Sequence, residues 1–127
     1  MNNHTRRTLA LDPAAWDIVL DGTGRIALSE GAQATAQNVA NEARLFTNDA
    51  YFAQDRGIPH FVVELGRRAN SAVLRSYLRR AAFQVSDVAE VAGVEIAGID
   101  PQSRSLAGEI RFSSAEDGAL ETIKTCF

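Results

Sequence analysis

Apolar and polar positions follow two periods along this chain, and the changes between them mark out the elements. Trp16, Ile18 and Leu20 alternate with Asp17, Val19 and Asp21, the period-two pattern of a half-buried strand. Asp21-Gly22-Thr23-Gly24 is a turn signal, and Arg25–Ser29 alternates again through Ile26 and Leu28. A hairpin is the expected result. From Gly31 to about Thr47 the period becomes helical: Ala36, Val39, Ala40, Ala43 and Phe46 share one face. Gln37, Asn38, Asn41, Glu42 and Arg44 cover the remainder. Ser29 is a candidate cap for this helix. A second helix follows Asn70 or Ser71, where Leu74, Tyr77, Leu78, Ala81, Ala82 and Val85 fit the amphipathic template at every step. Gly66 breaks the chain before it.

The last third returns to period two. Val88–Ile99 alternates imperfectly, Asp100-Pro101-Gln102-Ser103 is a turn, and Leu106–Ser113 alternates again. Ala115-Glu116-Asp117-Gly118 is a second turn. Leu120–Phe127 then completes a meander, with a helix over the last ten residues as the alternative. The pattern predicts an α+β fold: two helices packed on an antiparallel sheet, built from an N-terminal hairpin and a C-terminal meander. Residues 1–15 read as a flexible arm, because they are polar at first and Asp12-Pro13 favours a turn. Residues 16–127 read as one domain.

Between the helices lies Tyr51–Leu65, rich in aromatics but unable to form one continuous helix. Gly57 tolerates positive φ, and Pro59 biases Ile58 toward an extended conformation. Two readings of this stretch stand. It is a connection whose aromatics plug the core, or it also presents a docking surface through Tyr51, Phe52, Ile58, Pro59, His60 and Phe61. A second candidate surface is cationic. Arg67, Arg68, Arg75, Arg79 and Arg80 occur between Leu65 and Ser86 with no acid among them. They form either a solvated face or a partner-facing one.

Composition excludes several classes. The chain has 127 residues and a net charge of −3, so it has no general attraction to nucleic acid or anionic membrane. No apolar run approaches a membrane span. Arg6 and Arg7 are followed by no apolar stretch, so Met1–Thr8 does not read as a signal peptide. The one cysteine, Cys126, cannot form an intrachain disulfide, which fits a reducing compartment. Lacking a base in sequence reach, it is no nucleophile candidate. His4 and His60 have no second ligand at metal-binding spacing, and His60 is expected at the surface or half-buried in a turn. Gly22-Thr23-Gly24 does not lead into a helix and lacks the rest of a dinucleotide fingerprint. No cofactor site is expected. The remaining enzymatic idea is a carboxylate pair, Glu42 with Asp49 or Asp55 flanking a cleft as in glycosidases.

An ordered series of short stretches carries a family resemblance. Trp16-Asp17-Ile18-Val19-Leu20-Asp21 is followed by Gly24 with Ile26-Ala27, Gln37-Asn38-Val39, Arg44-Leu45-Phe46, Gly57-Ile58-Pro59, Leu65-Gly66, and Val91 to Ile96. The series resembles the contractile-tail phage baseplate wedge proteins of the W type. These are relatives of the sheath-initiating baseplate protein and of a type VI secretion baseplate component. The resemblance spans about Trp16 to Gly118. It implies a small α+β domain with a structural, non-enzymatic role. Its partners would be other baseplate wedge proteins and the tail sheath or tube protein. Its location would be the virion tail baseplate, after assembly in the host cytoplasm. A cell-wall-cleaving, lysozyme-like tail enzyme is the second reading, and an interaction module of a cellular protein the third. One departure is clear. The sheath-initiator branch carries a Glu-Pro-Arg triple where the chain leaves the second helix, and this chain has Gln84-Val85-Ser86-Asp87 there.

Overall fold

A computed structural model describes residues 7–65, 68, 70–115 and 118–126. The elements run β1 (Arg7–Leu9), β2 (Leu28–Glu30), α1 (Gly31–Arg44), α2 (His60–Val63), α3 (Ser71–Gln84), β3 (Val88–Ile99), β4 (Leu106–Ser114) and β5 (Leu120–Cys126). They form two antiparallel sheets, β1-β2 and β3-β4-β5, with three helices. The fold is α+β.

The meander is the structural base. β4 is central, and its burial alternates strictly, placing Leu106, Ile110 and Phe112 inside. The helices cover that inner face: α3 packs on β3, α1 on β5, and the two helices touch each other. Val39, Ala43, Ile58, Leu74, Leu78, Val91, Ile110 and Phe112 belong to the shared core. Burying a leucine or phenylalanine of this kind stabilises the fold by roughly 1.5–3 kcal/mol. The last strand is a strand, not the helix considered above, because Leu120–Cys126 pairs residue for residue with Ala107–Ser113.

α3 starts where its cap predicts. The Asn70 side chain accepts hydrogen bonds from the backbone N–H groups of Ala72 and Val73 at 3.0 and 3.5 Å. It ends at Gln84, so Val85 stays buried as the C-cap residue rather than in the helix. α1 departs from expectation at both ends. Ser29 does not cap it; its buried hydroxyl sits in β2, and Glu30 is the N-cap residue without a side-chain cap bond. The helix stops at Arg44 rather than near Thr47, because the backbone beyond it pairs with Ile58.

The N-terminal part also differs. The expected hairpin survives only as a single Leu20–Ile26 bridge, with Ala27 N–H donating to the Val19 carbonyl at 2.9 Å. The regular strand there is β2, whose partner β1 comes from the expected arm. From Arg7 onward the arm is therefore held. Gln37 holds it, accepting from Leu11 N–H at 3.0 Å and donating to the Leu9 carbonyl at 2.6 Å. Gln37 was assigned to the polar face of α1 but is buried, because an arm with unpaired backbone groups lies against it. The third helix, α2, is four residues long, too short to leave a periodic signal.

Candidate functional site

The aromatic stretch is shaped by its backbone. Ile58 N–H donates to the Leu45 carbonyl at 2.8 Å, and Thr47 N–H donates to the Ile58 carbonyl at 3.0 Å. The chain between them closes on itself. Asn48 N–H reaches the Gln54 carbonyl at 3.1 Å, and Ala53 N–H reaches that of Ala50 at 3.0 Å. Tyr51 and Phe52 are thereby carried to the tip, 79% and 98% exposed, with their rings edge to face at 4.9 Å. Two adjacent aromatics held in water are a feature of recognition surfaces.

Behind the tip, Phe61 is 75% exposed and tilts against Phe46 at 5.0 Å. Pro59 is half-buried at the start of α2. Ile58 and His60 do not belong to the surface. Ile58 is a core residue, and His60 is buried rather than set in a surface turn. His60 faces the Glu64 carboxylate through Nδ1, and its Nε2 donates to the Ala43 carbonyl at 3.2 Å. A buried imidazole needs such partners, and here they lock α2 to the last turn of α1. Within the aromatic stretch, Tyr51, Phe52 and Phe61 can therefore meet a partner, and Ile58 and His60 support them from inside.

The arginines lie elsewhere. Arg75, Arg79 and Arg80 are exposed on α3, on the side away from Leu74, Leu78 and Ala82, and Arg68 is exposed before that helix begins. None of the four has an ion-pair partner among the described residues. Arg79 holds its guanidinium 6.0 Å from the Phe83 ring centre. Arg67 lies outside the described residues, as do Gly66, His4, Glu116, Asp117 and Phe127. Tyr51, Phe52 and Phe61 share no ring contact or ion pair with Arg68, Arg75, Arg79 or Arg80 among the described residues.

The structure also locates features the sequence pattern had hidden. Glu42, assigned to the polar face of α1, is buried and ion-paired with Arg56. The pocket it lines includes neither Asp49 nor Asp55. Leu9, Ile18, Leu20, Ile26 and Leu28 are all about half exposed or more around β1 and β2. The alternation of Ile18, Leu20, Ile26 and Leu28 was legible, but it did not reveal that these side chains stay open or that Leu9 joins them. The two edges of the large sheet are also unlike each other. β3 is broken by three register shifts, whereas β5 pairs with β4 without any.

Charge adds detail at the turns. Asp12, Asp21 and Asp100 are exposed, and each is held below the ordinary aspartate value of 3.8. For Asp12 the main cause is the backbone N–H of Ala15; for Asp21 and Asp100 it is the hydroxyl of Thr23 and of Ser103, respectively. Among the described residues no group of His, Cys, Asp and Glu could hold a metal ion. No described helix is long and apolar enough to cross a membrane.

The family model of the contractile injection system sheath initiator matches residues 7–117. No curated protein matches the chain.

Proposed function

We infer the role of this protein from one premise: the chain belongs to the contractile injection system sheath initiator family. It is a structural component of the baseplate of such a system. Within that setting we read it as a non-enzymatic joint. It holds wedge subunits together and connects the baseplate to the sheath or tube, and it is assembled in the host cytoplasm.

The observation that supports this reading most is the outer edge of β5. Seven residues run there without a bulge, and no strand covers their far side among the described residues. Proteins usually blunt such edges, because a regular row of unpaired N–H and C=O groups recruits another strand. β3, at the opposite edge, is blunted in this way by its register shifts. Leaving one edge regular suits a subunit that seeds a polymer, since an arriving sheath strand can extend the sheet through its main chain. Tyr51 and Phe52 at the loop tip, and Arg75 and Arg79 on α3, are then available for the wedge side.

The test is amide hydrogen exchange on the full chain, alone and after the sheath protein of its own system has assembled on it. The β5 amides that face outward should exchange freely in the isolated chain and become protected in the assembly. Assembly of sheath on the chain with the β5 amides still unprotected would remove the strand-addition reading.

A further inference from the structure

We propose that the outer face of the β1-β2 sheet docks the α3 helix of a second copy of this chain, so that copies join head to tail. Leu9 faces Leu28 across the two strands, and the bridges Leu20–Ile26 and Leu11–Ile18 continue the pairing. Cross-strand partners share a face, and so do residues two apart along an extended segment. Leu9, Ile18, Leu20, Ile26 and Leu28 therefore stand on one side of this small sheet. The other side, with buried Ser29 and half-buried Thr8, Ala10, Val19 and Ala27, turns toward α1. All five aliphatic residues are about half exposed or more, and Leu20 reaches 68%. A single exposed leucine is ordinary, but an aliphatic group on one face marks an interaction surface.

Charge indicates what covers it. Asp12, Asp17 and Asp21 stand beside Leu11, Ile18 and Leu20 along the chain, and from Arg7 to Glu30 there are four acids against two arginines. Turn hydrogen bonds favour the anionic forms of Asp12 and Asp21. Two such faces set against each other would oppose acid to acid, so a two-fold contact through this sheet is disfavoured. The chain itself carries the complementary surface. From Arg68 to Gln84 there are four arginines and no acid, and none of the four has an ion-pair partner among the described residues. On α3, Phe83 lies one turn beyond Arg79 and Arg80, and Val73 lies two turns before Arg80, so these residues line the helix's outer side. Val73 and Phe83 are each nearly half exposed. The helix thus offers apolar anchors among cations, and the sheet offers an aliphatic face among anions. A helix lying on a sheet is also how α3 packs on β3 within the chain. The two surfaces belong to different elements, so one copy presents both, and a contact of this kind runs from copy to copy.

The place of this contact in a baseplate rests on the structural role proposed above; the contact itself does not. The full chain is followed by sedimentation velocity, alone, from about 10 μM to about 1 mM. Wild type should form dimers and larger species as concentration rises, and less so at high salt. Leu20→Lys disables the sheet, and Arg80→Gln with Phe83→Ser disables the helix. Each variant alone should associate at least about tenfold more weakly. Mixed in equal amounts they should regain a dimer that grows no further, because one brings an intact helix and the other an intact sheet. A wild-type chain that stays monomeric throughout overturns the proposal, as does association unchanged in either variant. A mixture that regains no dimer overturns the head-to-tail arrangement. Should Leu20→Lys fail to fold, Ile26→Lys on the same face takes its place. A monomeric chain that still co-purifies with coexpressed baseplate subunits removes this contact and leaves the structural role standing. A self-associating chain that recovers none of them supports the contact and counts against that role.

Discussion

Gly57 sits so close to Leu45 that a Cβ on it would lie 2.6 Å from the Leu45 carbonyl oxygen. The contact is backbone against backbone, so neither side can swing away. Gly57 also has φ of +91°, a conformation that other residues adopt only under strain. The approach lets Ile58 pair beside Phe46 and so fixes where the aromatic loop begins and ends. Gly57→Ala should destabilise the chain by roughly 1–3 kcal/mol from backbone strain alone, with the clash adding to it. Urea unfolding measures this directly. A loss below about half a kcal/mol would show that the loop closes without the contact.

The core under α3 gives a second expectation. Leu78 is fully buried between the helix and the sheet, in the same cluster as Leu74, Ile110 and Phe112. Leu78→Ala should cost about 2–5 kcal/mol, from lost transfer energy and the cavity left behind. Thermal or chemical denaturation reads the loss. A change within experimental error would mean that the periodicity of α3 does not report its packing.

Arg75 and Arg79 are one helical turn apart and exposed. Replacing both by glutamate should leave the melting temperature nearly unchanged, because surface changes of this kind shift stability by about half a kcal/mol. If acidic wedge surfaces dock on this face, the same double variant should lose recovery in pull-downs with coexpressed wedge proteins. The loss should deepen as salt is lowered. Recovery equal to wild type would leave these arginines a solvated face and shift attention to Tyr51, Phe52 and Phe61.

The three turn aspartates set an acid dependence. Asp12, Asp21 and Asp100 have folded values below 3.8, so the native state favours their charged forms. Their stabilising effect is complete above the ordinary aspartate value. It fades as pH falls through the lower folded values. Carboxyl carbon shifts followed by NMR from about pH 5 to pH 2 should show all three titrating below exposed Asp reference peptides. Asp100→Asn should flatten its share of the acid sensitivity. Ordinary titration of all three would indicate that the turn hydrogen bonds do not persist in solution.

What the sequence alone determined was whatever depends on neighbours along the chain. The run from Leu74 to Ala82 repeats one face of a helix, so α3 and its Asn70 cap were both legible. Alternation in Val88–Ile99 and Leu106–Ser113, with a turn between, placed two strands of the meander and hence the α+β class. Residue type and local periodicity singled out Tyr51, Phe52, Phe61, Arg75 and Arg79 as candidates, but only the fold shows that these aromatics face water rather than plug the core.

Tertiary structure decided whatever depends on what lies opposite. Gln37 and Glu42 are polar residues on a helix, and only the arm and Arg56 packed against them make their burial possible. Ile58 and His60 look like loop residues until the end of α1 comes to meet them with the Leu45 and Ala43 carbonyls. Ser29 looks like a cap until β1 claims its strand. Arg7–Leu9 is three residues, too short to signal a strand by itself, and only the fold shows that Leu28–Glu30 pairs with it. A periodic pattern records which face a residue occupies on its own element. The partner that satisfies a buried polar group comes from a distant part of the chain, and only the fold brings it there.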